Sequence, residues 1–185
     1  MQCKREVVFN KADYNSSDGM LTAVWGPSVW HSLHTISFNY PVKPTLEDKQ
    51  NYYKFFMGLH NVLPCKYCRI NLKTNLKSVP LTMKTMKNRH TLSLWLYLLH
   101  EKVNKMLGKK SGLKYTDIRN RYEMFRSRCI TDKKIVIVKK HRTKKKEKGC
   151  VKPLYGVKSK CVISIVPKNK KCKTFKIDRK CALKR

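Results

Sequence analysis

A chain of 185 residues with 41% apolar side chains has material for one ordinary domain plus an extension. Its 43 basic and 11 acidic residues give a net charge of +32, and more than half of that excess falls in the last 54 residues, from Asp132 onward. No segment approaches the roughly 18 apolar residues of a membrane span. The opening MQCKREVVFNKADYN lacks the apolar core of a secretion signal, so the expected setting is inside a cell. Eight cysteines in such a chain point to thiol chemistry or metal binding rather than to a secreted disulfide scaffold.

Residues 1–24 are polar and mixed and read as a loose arm. From Trp25 the pattern changes. Val29, Trp30, Leu33, Ile36 and Tyr40 recur at helical spacing until Pro41 and Pro44. Thr45, with Asp48 three residues on, makes an imperfect capping box for a second amphipathic helix carrying Tyr52, Phe55, Phe56, Leu59 and Val62. Pro64 suits the entry to a third helix over 65–77. Residues 78–87 read as a loop around Pro80. A fourth helix follows over 88–107, with Leu92, Trp95, Leu96, Leu99 and Val103 on one side and Gly108 at its C′ position. A short fifth helix is expected from Thr116 to Arg126. Short loops between these segments predict an all-α fold: a four-helix bundle plus a short fifth helix.

After Cys129 the character shifts. Ile135–Val138 and Val162–Val166 are strand-like by composition, and a Lys-rich run lies between them. Cys150, Cys161 and Cys172 recur at equal intervals, the mark either of a degenerate repeat or of chance in a low-complexity segment. The expected organisation is an arm (1–24), a helical domain (25–130) and a Lys/Cys-rich basic C-terminal extension (131–185), disordered or weakly β. Such a tail is either a solvated extension or a contact for polyanions.

The chemistry centres on Cys65-Lys66-Tyr67-Cys68. Two cysteines at a helix start can close a disulfide, and the unpaired N–H groups there favour a thiolate. Half of a zinc site is one reading, but no second Cys-x-x-Cys supplies the other ligands, and no metal is expected. A thioredoxin-type module needs βαβ surroundings, and the flanks here are helical. The remaining reading is a redox pair serving a cofactor. Trp30 and His34 share one helix face, and His100, Asn104 and Leu107 share another. Rings and imidazoles of that kind suit a planar ligand, although a lone His on an apolar face is more often a core residue.

The segment Gly26 to His34, followed by Tyr40-Pro41, resembles the opening helix of the Erv/ALR sulfhydryl oxidases. Leu63-Pro64-Cys65-Lys66-Tyr67-Cys68 is similar to that family's Tyr-Pro-Cys-x-x-Cys site, and Trp95 with His100 to Lys109 resembles its fourth-helix signature. The likeness covers residues 25–126 and is nearer to members carried by large cytoplasmic DNA viruses than to mitochondrial ones. It implies flavin adenine dinucleotide (FAD) in the mouth of the bundle, usually in a homodimer, with a protein dithiol as substrate. Electrons would pass through Cys65 and Cys68 to the flavin and then to oxygen, giving hydrogen peroxide. The implied cofactor-binding residues are Gly26, Trp30, His34 and Tyr40 from the first helix, and His100, Val103, Asn104, Leu107 and Lys109 from the fourth. Arg121 is implied at the phosphates and Tyr122 in place of a Trp over the adenine. Relatives often relay electrons through a second pair, for which Cys3, Cys129, Cys150, Cys161, Cys172 and Cys181 are the candidates.

The sequence departs from the family pattern at Pro27, at Glu101 and at Tyr97, which stands where cellular relatives often place a structural cysteine. Without that disulfide, the core is expected to lean more on bound flavin. The rival function is a basic nucleic-acid-binding or scaffold protein in which the Cys-x-x-Cys is merely structural.

Overall fold

The computed structural model describes residues 8–130, 149–158, 160–167, 169–170 and 178. Among the described residues six α-helices follow in order: α1 (Lys11–Asn15), α2 (Thr22–Asn39), α3 (Leu46–Val62), α4 (Lys66–Ser78), α5 (Arg89–Met106) and α6 (Tyr115–Glu123). A 3-10 turn, Thr85–Lys87, precedes α5. Helices α2 to α5 form the bundle and α6 lies against α2 and α5, as the helical pattern predicted. Among the described residues no helix is long and apolar enough to cross a membrane.

Local signals account for most helix boundaries. The Thr45 hydroxyl accepts from the Asp48 amide while the Asp48 carboxylate accepts from the Thr45 amide, a complete capping box for α3. Asn88 and Thr91 do the same for α5, and Gly108 adopts φ +66° just past its end. Helix α2 begins three residues before the expected Trp25 and holds Pro27 within it. Helix α6 ends at Glu123 rather than Arg126. The Arg126 guanidinium instead turns back to pair with Glu123 and to donate to the Phe38 carbonyl at the end of α2.

The core gathers Leu33, Tyr40, Phe56, Leu72, Leu92, Trp95, Leu96 and Leu99, with Leu81 and Met86 from the loop before α5. Ser37 and Ser93 are fully buried, small residues on the paired helices α2 and α5; their hydroxyls bond backwards to carbonyls of their own helices. The Trp95 indole N–H donates to the Val79 carbonyl, fastening the α4–α5 loop to the core.

Two regions differ from expectation. Part of the arm is ordered: α1 is capped by Asn10, and residues 18–20 pair with the start of α4. The strand-like segment Val162–Val166 forms no strand and lies largely exposed, because nothing pairs with it among the described residues. A two-stranded antiparallel ribbon is found instead between β1 (Ser127–Ile130) and β2 (Gly149–Pro153), with an irregularity between Arg128 and Ile130. The other strand-like stretch, Ile135–Val138, lies outside the described residues.

Candidate active site

Two assemblies of chemistry-bearing side chains stand out, one exposed and one buried. The exposed one is the dithiol. Cys65 is the N-cap of α4, and its Sγ accepts the Cys68 amide N–H at 3.2 Å. Both cysteines are free thiols and partly buried. Burial alone would push the Cys65 thiol up. Hydrogen bonds from the Cys68 thiol and amide, the Thr22 hydroxyl and the Tyr67 amide outweigh it and hold Cys65 below its ordinary value. Cys68 moves the other way, raised by burial and by its hydrogen bond to Cys65. When the pair loses a proton, the charge is therefore better held on Cys65 than on Cys68.

The chain before α2 runs alongside this helix start. Gly19 and Cys65 form an antiparallel bridge: the Met20 amide donates to the Pro64 carbonyl at 2.7 Å and the Lys66 amide to the Asp18 carbonyl at 2.8 Å. Arg69 donates to the Leu63 and Ser17 carbonyls, and Lys66 pairs with Asp18 at 3.4 Å. An apolar pocket of about 280 Å³, lined by Met20, Leu21, Val24, Trp25 and Pro64, opens next to this bridge.

The buried assembly lies between α2, α5 and α6. The Trp30 ring stacks on His100 with centroids 3.9 Å apart and planes within 3°. His34 Nε2 and His100 Nδ1 share a hydrogen bond of 3.1 Å. Tyr122 stacks on Phe38, packs against His34, and shares a hydrogen bond of 3.2 Å between its hydroxyl and His31 Nδ1. Burial, reinforced by the neighbouring imidazoles of His100 and His31, drops His34 to about 3. Burial drops His100 to about 4 and raises Tyr122 to about 12. At neutral pH His34, His100 and Tyr122 are therefore uncharged. His34 Nδ1 is buried with no hydrogen-bond partner among the described residues.

Of the implied cofactor residues, Trp30, His34, His100 and Tyr122 come together in this cluster, and Lys109 is close enough to His100 to repel its proton. Gly26 is buried one turn before Trp30 on α2. Asn104 and Val103 are half-buried one turn after His100, with the Asn104 amide donating to Glu101 at 3.0 Å. Leu107 is exposed past the end of α5, and Arg121 is half-buried on α6 beside Tyr122. Tyr40 goes elsewhere. It is fully buried in the core, edge-on to Tyr52, and its hydroxyl donates to the Met86 carbonyl at 2.8 Å. Its place at the end of α2 points it toward α3 and the 3-10 turn. Residues not singled out from the sequence include Thr22, whose hydroxyl lies 3.6 Å from Cys68 Sγ, and His31 and Phe38, which meet Tyr122. The spacing of His31, His34 and Phe38 along one helix face was available as a signal for the last two. Tyr97 donates to the Leu113 carbonyl at 2.8 Å, tethering the loop that follows α5.

Of the remaining cysteines, Cys150 is disulfide-bonded and Cys161 is an exposed free thiol. Cys3, Cys172 and Cys181 lie outside the described residues, and Cys129 is described in its backbone alone. Among the described residues no group of three or more His, Cys, Asp or Glu side chains is placed to hold a metal.

A Cys-x-x-Cys at a helix start and a ring-lined cluster thus share one helical bundle. The chain belongs to the Erv1 / Alr family, whose model matches residues 27–123. It is 42% identical over 86 residues to a probable FAD-linked sulfhydryl oxidase of Acanthamoeba polyphaga mimivirus, covering 46% of this chain and 60% of that protein, so the match spans under two thirds of the relative's length. It is 29% identical over 99 residues to the FAD-linked sulfhydryl oxidase of an African swine fever virus isolate, covering 54% of this chain and 80% of that one. The fold is similar to the FAD-binding domain of Erv1 from Saccharomyces cerevisiae, with a TM-score of 0.51, 25% identity, and 56% of this chain and 94% of that one covered.

Proposed function

We propose that this protein is an FAD-dependent thiol oxidase that forms disulfides in substrate proteins. The observation that carries the reading is the Cys65–Cys68 pair, held at a helix start where the Cys68 and Tyr67 amides and the Thr22 hydroxyl stabilise a thiolate, on the fold of an FAD-binding domain. In the cycle, a substrate thiolate attacks Cys65 Sγ of the Cys65–Cys68 disulfide, forming a mixed disulfide and releasing Cys68 as a thiolate. The second substrate thiolate then attacks the substrate sulfur of that mixed disulfide. The oxidised substrate leaves, and Cys65 is released as the sulfur best placed to hold the charge.

The ring cluster fits FAD. Trp30, His100 and Tyr122 offer ring faces, His34 Nδ1 is a buried polar atom awaiting a partner, and Lys109 and Arg121 are cations suited to its phosphates. When bound, FAD supplies the two-electron acceptor for the reduced dithiol and hands the electrons to oxygen, giving hydrogen peroxide. The neutral imidazoles of His34 and His100 add no positive charge of their own to the ring site. A homodimer is proposed as the working form. Host cytoplasm or virion is the proposed setting, supported by the viral relatives. The basic tail from Asp132 onward is proposed as a polyanion contact outside the catalytic domain, supported by its charge. A shuttle role is proposed for none of the six other cysteines.

The test is purification followed by dithiol-dependent oxygen uptake. A yellow protein whose uptake disappears in Cys65→Ser and in Cys68→Ser supports the reading. A colourless protein that stays so after incubation with FAD, or substantial uptake by either variant, overturns it and favours the rival basic binding protein.

A further inference from the structure

The bridge between the arm and α4 costs backbone freedom, and general folding does not explain why it should be kept. Gly19 adopts φ +116°, where an L side chain is strained. A Cβ there would lie 2.5 Å from the Pro64 carbonyl oxygen and 2.7 Å from the Cys65 Cα. Only glycine lets the two backbones approach this closely. The approach is then locked on both sides by the Met20–Pro64 and Lys66–Asp18 hydrogen bonds and braced by Arg69 on the Ser17 carbonyl. The chain next enters α2 at Thr22 through Leu21, which provides no side-chain cap. The register of the bridge thereby sets where the Thr22 hydroxyl falls, 3.6 Å from Cys68 Sγ.

We propose that residues 17–22 form a strap that delivers the Thr22 hydroxyl to the active dithiol, where it donates to Cys68 when that sulfur leaves as a thiolate. Thr22 is then a catalytic residue for the exchange step and Gly19 a positioning residue acting through it. The inference rests on the thiol-oxidase reading and deepens it. The step is balanced. The substrate S–Cys65 bond forms, the Cys65–Cys68 bond breaks, and its electron pair stays on Cys68 while the hydroxyl keeps its proton and donates a hydrogen bond. The need for a donor follows from the geometry. In the dithiol, the Cys68 proton is shared with Cys65. In the mixed disulfide, Cys65 is tied up and no longer takes that proton, which leaves the Thr22 hydroxyl and the nearby Arg69 charge to stabilise the Cys68 thiolate.

The experiment isolates that sulfur. In the full-length, flavin-bound chain carrying Cys65→Ala, the alkylation rate of Cys68 is followed against pH by peptide-resolved mass spectrometry. Adding Thr22→Val, which keeps the shape and removes the hydroxyl, is expected to slow alkylation at neutral pH by roughly threefold to tenfold through a raised thiol pKa; Thr22→Ser should retain the original profile. Gly19→Ala should shift the profile in the same direction, and the Gly19→Ala/Thr22→Val pair should do no more than Thr22→Val alone, because both remove one interaction. If Thr22→Val loses its flavin or its helical circular dichroism, Thr22→Ala is measured in its place. Superimposable profiles with and without the hydroxyl overturn the proposal, and additive effects of Gly19→Ala and Thr22→Val overturn the positioning role. Neither outcome depends on turnover, so failure of the oxidase reading shows separately, as absent oxygen uptake by the unaltered protein.

Discussion

The dithiol end and the ring cluster sit in the same bundle and are built on opposite principles. At the dithiol, groups are partly exposed, and reactivity comes from backbone amides, one hydroxyl and a close pairing of two chain segments. In the ring cluster, His34 is only 3% exposed, and its behaviour comes from removal of water. The contrast teaches that the half-exposed thiols are tuned by hydrogen bonds that survive contact with water, whereas the buried rings are tuned by desolvation. Changes in one region should therefore leave the other largely untouched.

The largest separation is expected from Trp30→Ala. It removes the ring stacked on His100, and with it both a stacking face and buried area. Such ring pairs contribute about 0.5–1.5 kcal/mol beyond the area they bury, so flavin affinity should fall by at least about twofold to tenfold. Peptide-resolved alkylation of Cys65 should stay within about twofold of the unaltered protein. Parallel loss of both would mean that the two regions are one unit.

Acid comes next. His34 and His100 have folded values of about 3 and about 4 against an ordinary 6.5, so the unfolded chain binds more protons in between. Their contribution to stability is fully present above about pH 6.5 and is lost as pH falls through that window. Thermal unfolding should drop between about pH 7 and about pH 5, and His34→Leu should flatten the dependence. An equally steep profile in His34→Leu would move the cause elsewhere.

A smaller effect is expected from Tyr97→Phe. It removes the hydrogen bond to the Leu113 carbonyl while keeping the ring, at a cost of about 1 kcal/mol by denaturant unfolding. The smallest belongs to Asp18→Asn, which breaks an ion pair whose side chains are 55% and 68% exposed. Such pairs contribute about 0–1 kcal/mol, so stability should barely change. The bridge through backbone atoms should persist, with Cys65 alkylation close to that of the unaltered protein.

How much could be read in advance follows the same division. The helix ends at Thr45 and Gly108 were marked by caps that act within one turn, and the cap at Asn88 is a finding of the structure. The placement of Trp30 and His34 on one face followed from helical period, and the hydrogen bonding that lowers the Cys65 pKa followed from its position at a helix start. Tyr40, implied as a cofactor residue by the family resemblance, sits apart from the ring cluster at the end of α2, where its hydroxyl donates to the Met86 carbonyl of the 3-10 turn. The segment Val162–Val166 had strand composition but no partner among the described residues, whereas β1 found one in β2.

The amino-acid order by itself determined the number of bundle helices, the reactive pair, and a set of rings and imidazoles at helical spacing, because each depends on neighbours within a few residues. Only the tertiary structure decided that His31 and Phe38 meet Tyr122, that Tyr40 belongs to the core, and that Gly19 presses against Cys65 so that Thr22 reaches Cys68 across 46 positions of chain. Those contacts join segments whose mutual approach is set by packing and backbone pairing, and no local pattern carries that information.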